Sequence, residues 1–258
     1  MRKNKQRIFG NLTFVKIIPT IATLSALFVG FTQVRFALVG QWEFAVISVV
    51  GAAFLDATDG RLARIFNACS RFGAELDSLS DFAVFGLCPA LVMYLYSLSS
   101  LNQLGWLVSV LFVVCMCLRL ARFNTHDIEN VKTPLSGRFF TGVPAPAGAI
   151  LAMFPIVLHN AFGYEFLKNQ YFCATDMVIS GLLCISKIPT PSIKQLHIKR
   201  EQFKAFLLGT IVAIGVLFAY TWKAFCLLIV AYICSIFVCA RRASKYCNQA
   251  NDKKITTR

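Results

Sequence analysis

The sequence predicts an all-α, polytopic membrane helical bundle of about eight transmembrane helices. Three observations predict it. Hydrophobic residues make up 57% of the 258 positions and charged residues only 15%, against about 25% charged in soluble domains. Mean hydropathy is +0.64. The apolar residues fall in runs near the roughly 20 residues that cross a bilayer, and the basic residues between the runs sort to one side.

The first run, 17–40, follows five cations in 1–16. No clear A-x-A cleavage site follows it, so it reads as a retained helix rather than a signal peptide. Its basic start, Arg2 to Phe9, reads as a surface-lying amphipathic turn. Further runs occupy 43–65, 77–98, 104–123, 142–162, 170–187, 203–220 and 223–240. The loops are short, so neighbouring helices run antiparallel. With the N-terminus inside, 23 of the 26 Lys and Arg fall on the inner side; only Arg35, Lys168 and Lys223 fall outside. This asymmetry fixes an even number of crossings with both termini cytoplasmic. Trp42, Trp106 and Trp222 fall near outer edges, where an aromatic belt is expected. No repeat or linker divides the chain. It reads as one integral membrane domain, 1–258, with a hairpin at 43–98, last helices at 203–240 and a basic cytoplasmic tail at 241–258.

The net charge of +14 does not indicate nucleic acid, because the cations sit at helix ends. There they act as topology signals and as contacts for anionic membrane lipids. The ten cysteines include no C-x-x-C and read as small apolar packing groups. Cys69, in a cytoplasmic loop, is the one expected to react with thiol reagents. His126, His159 and His197 share no ligand spacing, and Glu75 reads as a solvated loop residue.

Five of the twelve acidic residues fall between 56 and 81. A carboxylate at a membrane helix centre costs roughly 2.5–3.5 kcal/mol, and such groups are functional by default. Asp56 and Asp59 are spaced i, i+3 and share a helix face; Asp77 and Asp81 are i, i+4 and share a face of the next helix. Converging hard oxygens suit Mg²⁺ or Mn²⁺. Four carboxylates exceed what one Mg²⁺ recruits, so two cations sharing ligands fit better. Gly60 and Ala63 keep the adjoining surface shallow, Arg64 lies one turn on to meet a phosphate, and Gly73 precedes the third run, where it permits a tight approach.

The eight residues Asp56, Asp59, Gly60, Ala63, Arg64, Gly73, Asp77 and Asp81, at this spacing, resemble the signature of the CDP-alcohol phosphatidyltransferases. The resemblance implies a six-helix core, here with two extra helices, and a homodimer. It implies two divalent cations held by the four aspartates, with the diphosphate of a CDP-linked lipid on them. It implies the nucleotide near Gly60, Ala63 and Gly73, and Asp81 as general base toward an acceptor alcohol. Arg119-Leu-Ala-Arg122-Phe-Asn124, Phe140-Thr-Gly142-Val-Pro144-Ala-Pro146 and Ser186-Lys187-Ile-Pro189, with Lys194 beyond, look like the bacterial phosphatidylserine synthase branch. That branch implies CDP-diacylglycerol as donor, L-serine as acceptor and a bacterial inner membrane. Serine carries a carboxylate, for which Arg119, Arg122, Arg138 and Lys187 are the candidate partners. Glycerol 3-phosphate or inositol as acceptor, and a divalent-cation transporter, are the rival readings. The crowding of the aspartates into one hairpin, with no inverted repeat, weighs against transport.

Overall fold

The computed structural model describes residues 2–65, 70–129, 139–186, 189–191 and 222–236, with Val238 and Arg241; for 2–19, 59–65, 71, 126–129, 139–141 and 189–191 it describes the backbone alone. The expectations for Cys69, Arg138, Lys187, Lys194, His197, the run 203–220 and nearly all of the tail fall outside the described residues.

The described chain is helical apart from two three-residue strands. Helix α1 spans Arg2–Leu38 without a break, so Arg2 to Phe9 continues the helix. After a turn at Gly40, α2 covers Trp42–Ile65 and packs along α1. Ser70 then caps α3, Arg71–Asp81: its side chain accepts the Gly73 N–H at 3.0 Å, satisfying an otherwise orphaned donor of the first turn. The third helix thus starts six residues before the predicted Asp77, because an N-cap serine sits ahead of the apolar run. Gly73 lies inside its first turn rather than before it, and Glu75 is an exposed helical residue, not a loop residue.

One π-helical turn, Phe82–Leu87, joins α3 to α4, Cys88–Tyr96. Its cause is Pro89. A proline has no N–H to donate and its ring collides with the carbonyl four residues back. The Cys88 N–H reaches instead to Ala83 O, five residues back, and the helix widens rather than breaking. Helix α5 spans Gln103–Glu129, six residues past the predicted end. The predicted fifth run is two helices, α6 (Ala145–Ala152) and α7 (Phe154–Phe162), bent by 49°. Pro155 explains the break in the same steric terms. Helix α8 covers Gln170–Ile185 and α9 covers Trp222–Ile236.

Strand β1 (Phe139–Thr141) pairs antiparallel with β2 (Pro189–Pro191) at the end of the bundle where α5 ends and α6 begins. The core lies between α1, α2, α4, α5, α6 and α8, around Val49, Phe85, Met93, Phe112, Met116, Met153 and Met177. Large apolar side chains such as Phe28, Phe54, Leu107 and Leu182 face outward, as in a lipid-solvated bundle. Trp42 meets Tyr96 edge-on at 5.1 Å and Trp106 meets Tyr94 at 5.4 Å. Both lie at the bundle end opposite the aspartates.

Among the described residues, three helices are long and apolar enough to cross a membrane: Thr20–Leu38, Phe72–Tyr96 and Gln103–Thr125; the bent pair Ala145–Phe162 makes a fourth. Helix α2 has 24 residues and so reaches about 36 Å, but its last turns carry the charges of the signature.

Candidate metal and acceptor site

The turn from α2 into α3 brings acidic side chains of the two helices together. Asp56, Asp77 and Asp81 are each half-buried, and each offers a carboxylate oxygen within 4.8 Å of the others. The Asp56 and Asp81 side chains lie within hydrogen-bonding range of each other. The i, i+4 spacing of Asp77 and Asp81 on a regular stretch of α3 puts both on the side facing α2. Asp59, Gly60, Ala63 and Arg64 continue α2 one to two turns beyond Asp56, within the part described by backbone alone.

Acids this close repel strongly in a medium of low dielectric. Three oxygens at such spacing, with no aliphatic packing role, fit a hard divalent cation. The donor set therefore suits Mg²⁺ or Mn²⁺. It contains no thiolate or imidazole that would favour a softer metal.

Helix α5 supports the cluster from one side. Asn124 Nδ2 donates to Ser78 Oγ at 3.0 Å, and Ser78 sits between the two acids of α3. Sequence reasoning quoted Asn124 without giving it a task. Its signal was an amide directly after the apolar run 104–123, two residues beyond an arginine.

Arg119 and Arg122 also reach the same end of the bundle, with different surroundings. Arg119 Nε donates to Val143 O at 2.6 Å, while its Nη1 is buried without a protein partner. The guanidinium lies within electrostatic range of Asp81. Arg122 Nη2 donates to Ile185 O at 2.6 Å. It thereby caps the C-terminus of α8, where unsatisfied carbonyls and the helix dipole favour a cation. Gly142, at φ +81°, passes so close to α8 that a Cβ there would stand 2.8 Å from Ser186 O. The three motifs beginning at Arg119, Phe140 and Ser186 therefore meet in one place, although 24 and 63 residues separate the bonded pairs.

Fold and site together define a class: a helical membrane protein whose bundle end holds a carboxylate cluster for divalent cations beside a half-buried arginine with one unpartnered nitrogen. The sequence pattern of the CDP-alcohol phosphatidyltransferases matches residues 16–237. The CDP-diacylglycerol–serine O-phosphatidyltransferase of Mycobacterium tuberculosis H37Rv is 36% identical over 226 residues, 86% of this chain and 77% of that protein. Those of Helicobacter pylori 26695 (34% over 192 residues, 74% and 78%) and Bacillus subtilis 168 (32% over 179 residues, 69% and 92%) are also similar. The chain belongs to the CDP-alcohol phosphatidyltransferase family, and is an integral membrane transferase of a family that works with divalent cations.

Proposed function

We propose that the protein transfers the phosphatidyl group of CDP-diacylglycerol to L-serine, giving phosphatidylserine and CMP. One observation carries the reading: Asp56, Asp77 and Asp81 converge from two helices onto one point. The names of the relatives support serine as the acceptor.

Asp56, Asp59, Asp77 and Asp81 hold two divalent cations, Mg²⁺ or Mn²⁺. When bound, these neutralise the diphosphate and the departing CMP. Gly60, Ala63 and Gly73 leave room for the nucleotide against the helix backbones, and Arg64 meets a phosphate. The serine hydroxyl oxygen bonds to the phosphatidyl phosphorus, the bond from that phosphorus to the CMP oxygen breaks, and the hydroxyl proton passes to Asp81. Arg119 turns its unpartnered Nη1 to the serine carboxylate. That is a charge-assisted bond which a buried guanidinium makes well. Arg122 gives the same region its shape by holding α8. Arg138 and Lys187 remain further candidates for the carboxylate.

In the same reading the chain is a single domain with eight crossings and works as a homodimer. It lies in a bacterial inner membrane with both termini and the site cytoplasmic.

The test mixes purified protein, CDP-diacylglycerol, Mn²⁺ or Mg²⁺ and labelled serine. CMP release is expected to require serine. Release that ignores serine, or that follows glycerol 3-phosphate or inositol equally well, would overturn the acceptor assignment.

A further inference from the structure

Gln33 is a polar side chain in the apolar run of α1, and it is wholly buried, with 0% exposure. Its Nε2 donates to two backbone carbonyls, Gly30 O at 2.7 Å and Val84 O at 2.9 Å. Both partners are acceptors, so the amide orientation is set by the contacts themselves. The second bond crosses from α1 into the π-turn, three residues after Asp81.

That carbonyl needs a side chain for a definite reason. In a regular helix Val84 O would accept from the Cys88 N–H, but that donor has gone to Ala83 O. In a continued π-helix it would accept from residue 89, but that residue is proline and has no N–H. The Val84 oxygen is left over by the backbone on both counts. A buried carbonyl without a donor is costly in hydrocarbon, and Gln33 supplies the donor from the neighbouring helix. Gly30, one turn away, makes the approach possible, since a Cβ there would overlap the Val84 side chain.

The π-turn matters to the acids. In an uninterrupted helix, Asp77, Asp81, Phe85 and Cys88 form one stripe. Phe85 and Cys88 are 1% exposed and belong to the apolar core. One extra residue in the turn shifts the two halves by about 100°. The Asp77–Asp81 face is then free to meet α2 while Phe85 and Cys88 face inward.

We propose that Gln33 is a positioning residue for the divalent-cation site: its bond to Val84 O holds the π-turn that aims Asp77 and Asp81 at Asp56. It touches neither substrate nor cation. The inference rests on the reading of the acids as cation ligands.

The experiment titrates purified full-length protein in detergent with Mn²⁺, followed by electron paramagnetic resonance, without lipid substrate. Wild type is compared with Gln33→Met, which keeps the volume and loses the donor, and with Ala37→Gly, a buried α1 position one turn on that loosens packing alone. Gln33→Met is expected to weaken Mn²⁺ binding about tenfold, the scale seen when outer partners of metal ligands are lost, with Ala37→Gly near wild type. Val84–Phe85 is the only Val-Phe step in the sequence, so ¹³C-carbonyl valine with ¹⁵N phenylalanine reports the Val84 carbonyl alone. Its resonance is expected to move upfield in Gln33→Met. Equal Mn²⁺ affinity in wild type and Gln33→Met, or equal weakening in both variants, overturns the inference. Wild type that binds no Mn²⁺ overturns the underlying reading of the acids instead. Should Gln33→Met not fold, Pro89→Ala in the wild-type background reads the same bond. It restores a donor for Val84 O, and an unmoved Val84 resonance together with unmoved Mn²⁺ affinity would overturn the proposal.

Discussion

Replacing Asp81 by Asn removes one of three acids whose oxygens lie within 4.8 Å of one another. Two unit charges 4.8 Å apart repel by about 3.5 kcal/mol at an effective dielectric constant of about 20. Asp81 belongs to two of the three pairs, so with all three acids ionised the substitution relieves about 7 kcal/mol. Water, counter-ions and proton uptake reduce that figure. Even a fifth of it, about 1.4 kcal/mol, raises a melting midpoint by about 3–6 °C in a chain of this size. In EDTA, Asp81→Asn is therefore expected to melt above wild type. With Mn²⁺ added the order reverses, because wild type gains binding energy that the variant has lost. Serine-dependent CMP release falls about 100- to 10,000-fold with the loss of the base. The assay is a melting series in detergent with and without Mn²⁺, run beside the CMP assay. A variant that melts below wild type in EDTA and gains as much from Mn²⁺ would refute the reading of the cluster as an electrostatically strained cation site.

Further outcomes separate the residues around it. Arg119→Lys shortens the one guanidinium with a free buried nitrogen among the described residues, and is expected to raise the KM for serine by about tenfold or more, the worth of a charged hydrogen bond; an unchanged KM would remove it from the acceptor site. Arg122→Lys is expected to act on stability instead, lowering it by about 1.5–3 kcal/mol through loss of the bond to Ile185 O, with serine KM moving less than in Arg119→Lys; denaturation and initial rates measured on one preparation decide. Gly142→Ala forces a side chain onto a positive-φ backbone 2.8 Å from Ser186 O, and is expected to destabilise by about 1–3 kcal/mol, read as a lower midpoint. EDTA is expected to abolish CMP release and excess Mg²⁺ or Mn²⁺ to restore it; release that survives chelation would contradict the cation requirement.

Much of the site was legible in the sequence, because helical spacing alone decides which residues share a face. Asp77 and Asp81 at i, i+4 needed only a helix to stand together, and Asp56 needed only a short connection to meet them. The helix bounds were less legible, for local reasons. Apolar runs mark where lipid is, not where hydrogen-bonded turns begin, so the capped start at Ser70 and the polar last turns of α5 lay outside the runs. The π-turn and the bend at Met153 follow from Pro89 and Pro155, each embedded in residues otherwise apolar enough to read as uninterrupted helix. The roles of the arginines were least legible. Arg119 and Arg122 carry the same side chain one turn apart. Only the arrival of Val143, Ile185 and Ser186 from distant sequence tells a half-free guanidinium from one engaged as a cap.

Helix α5 has 27 residues, about 40 Å of helix against a hydrocarbon thickness near 30 Å. Standing upright, the helix would carry roughly its last 10 Å among headgroups or in water. Arg119 lies within the apolar stretch Gln103–Thr125 and Asn124 at its very end. A greasy two-tailed donor can slide in sideways between helices while a small zwitterion drops in from the solvent, and the two meet at the depth where oil gives way to water.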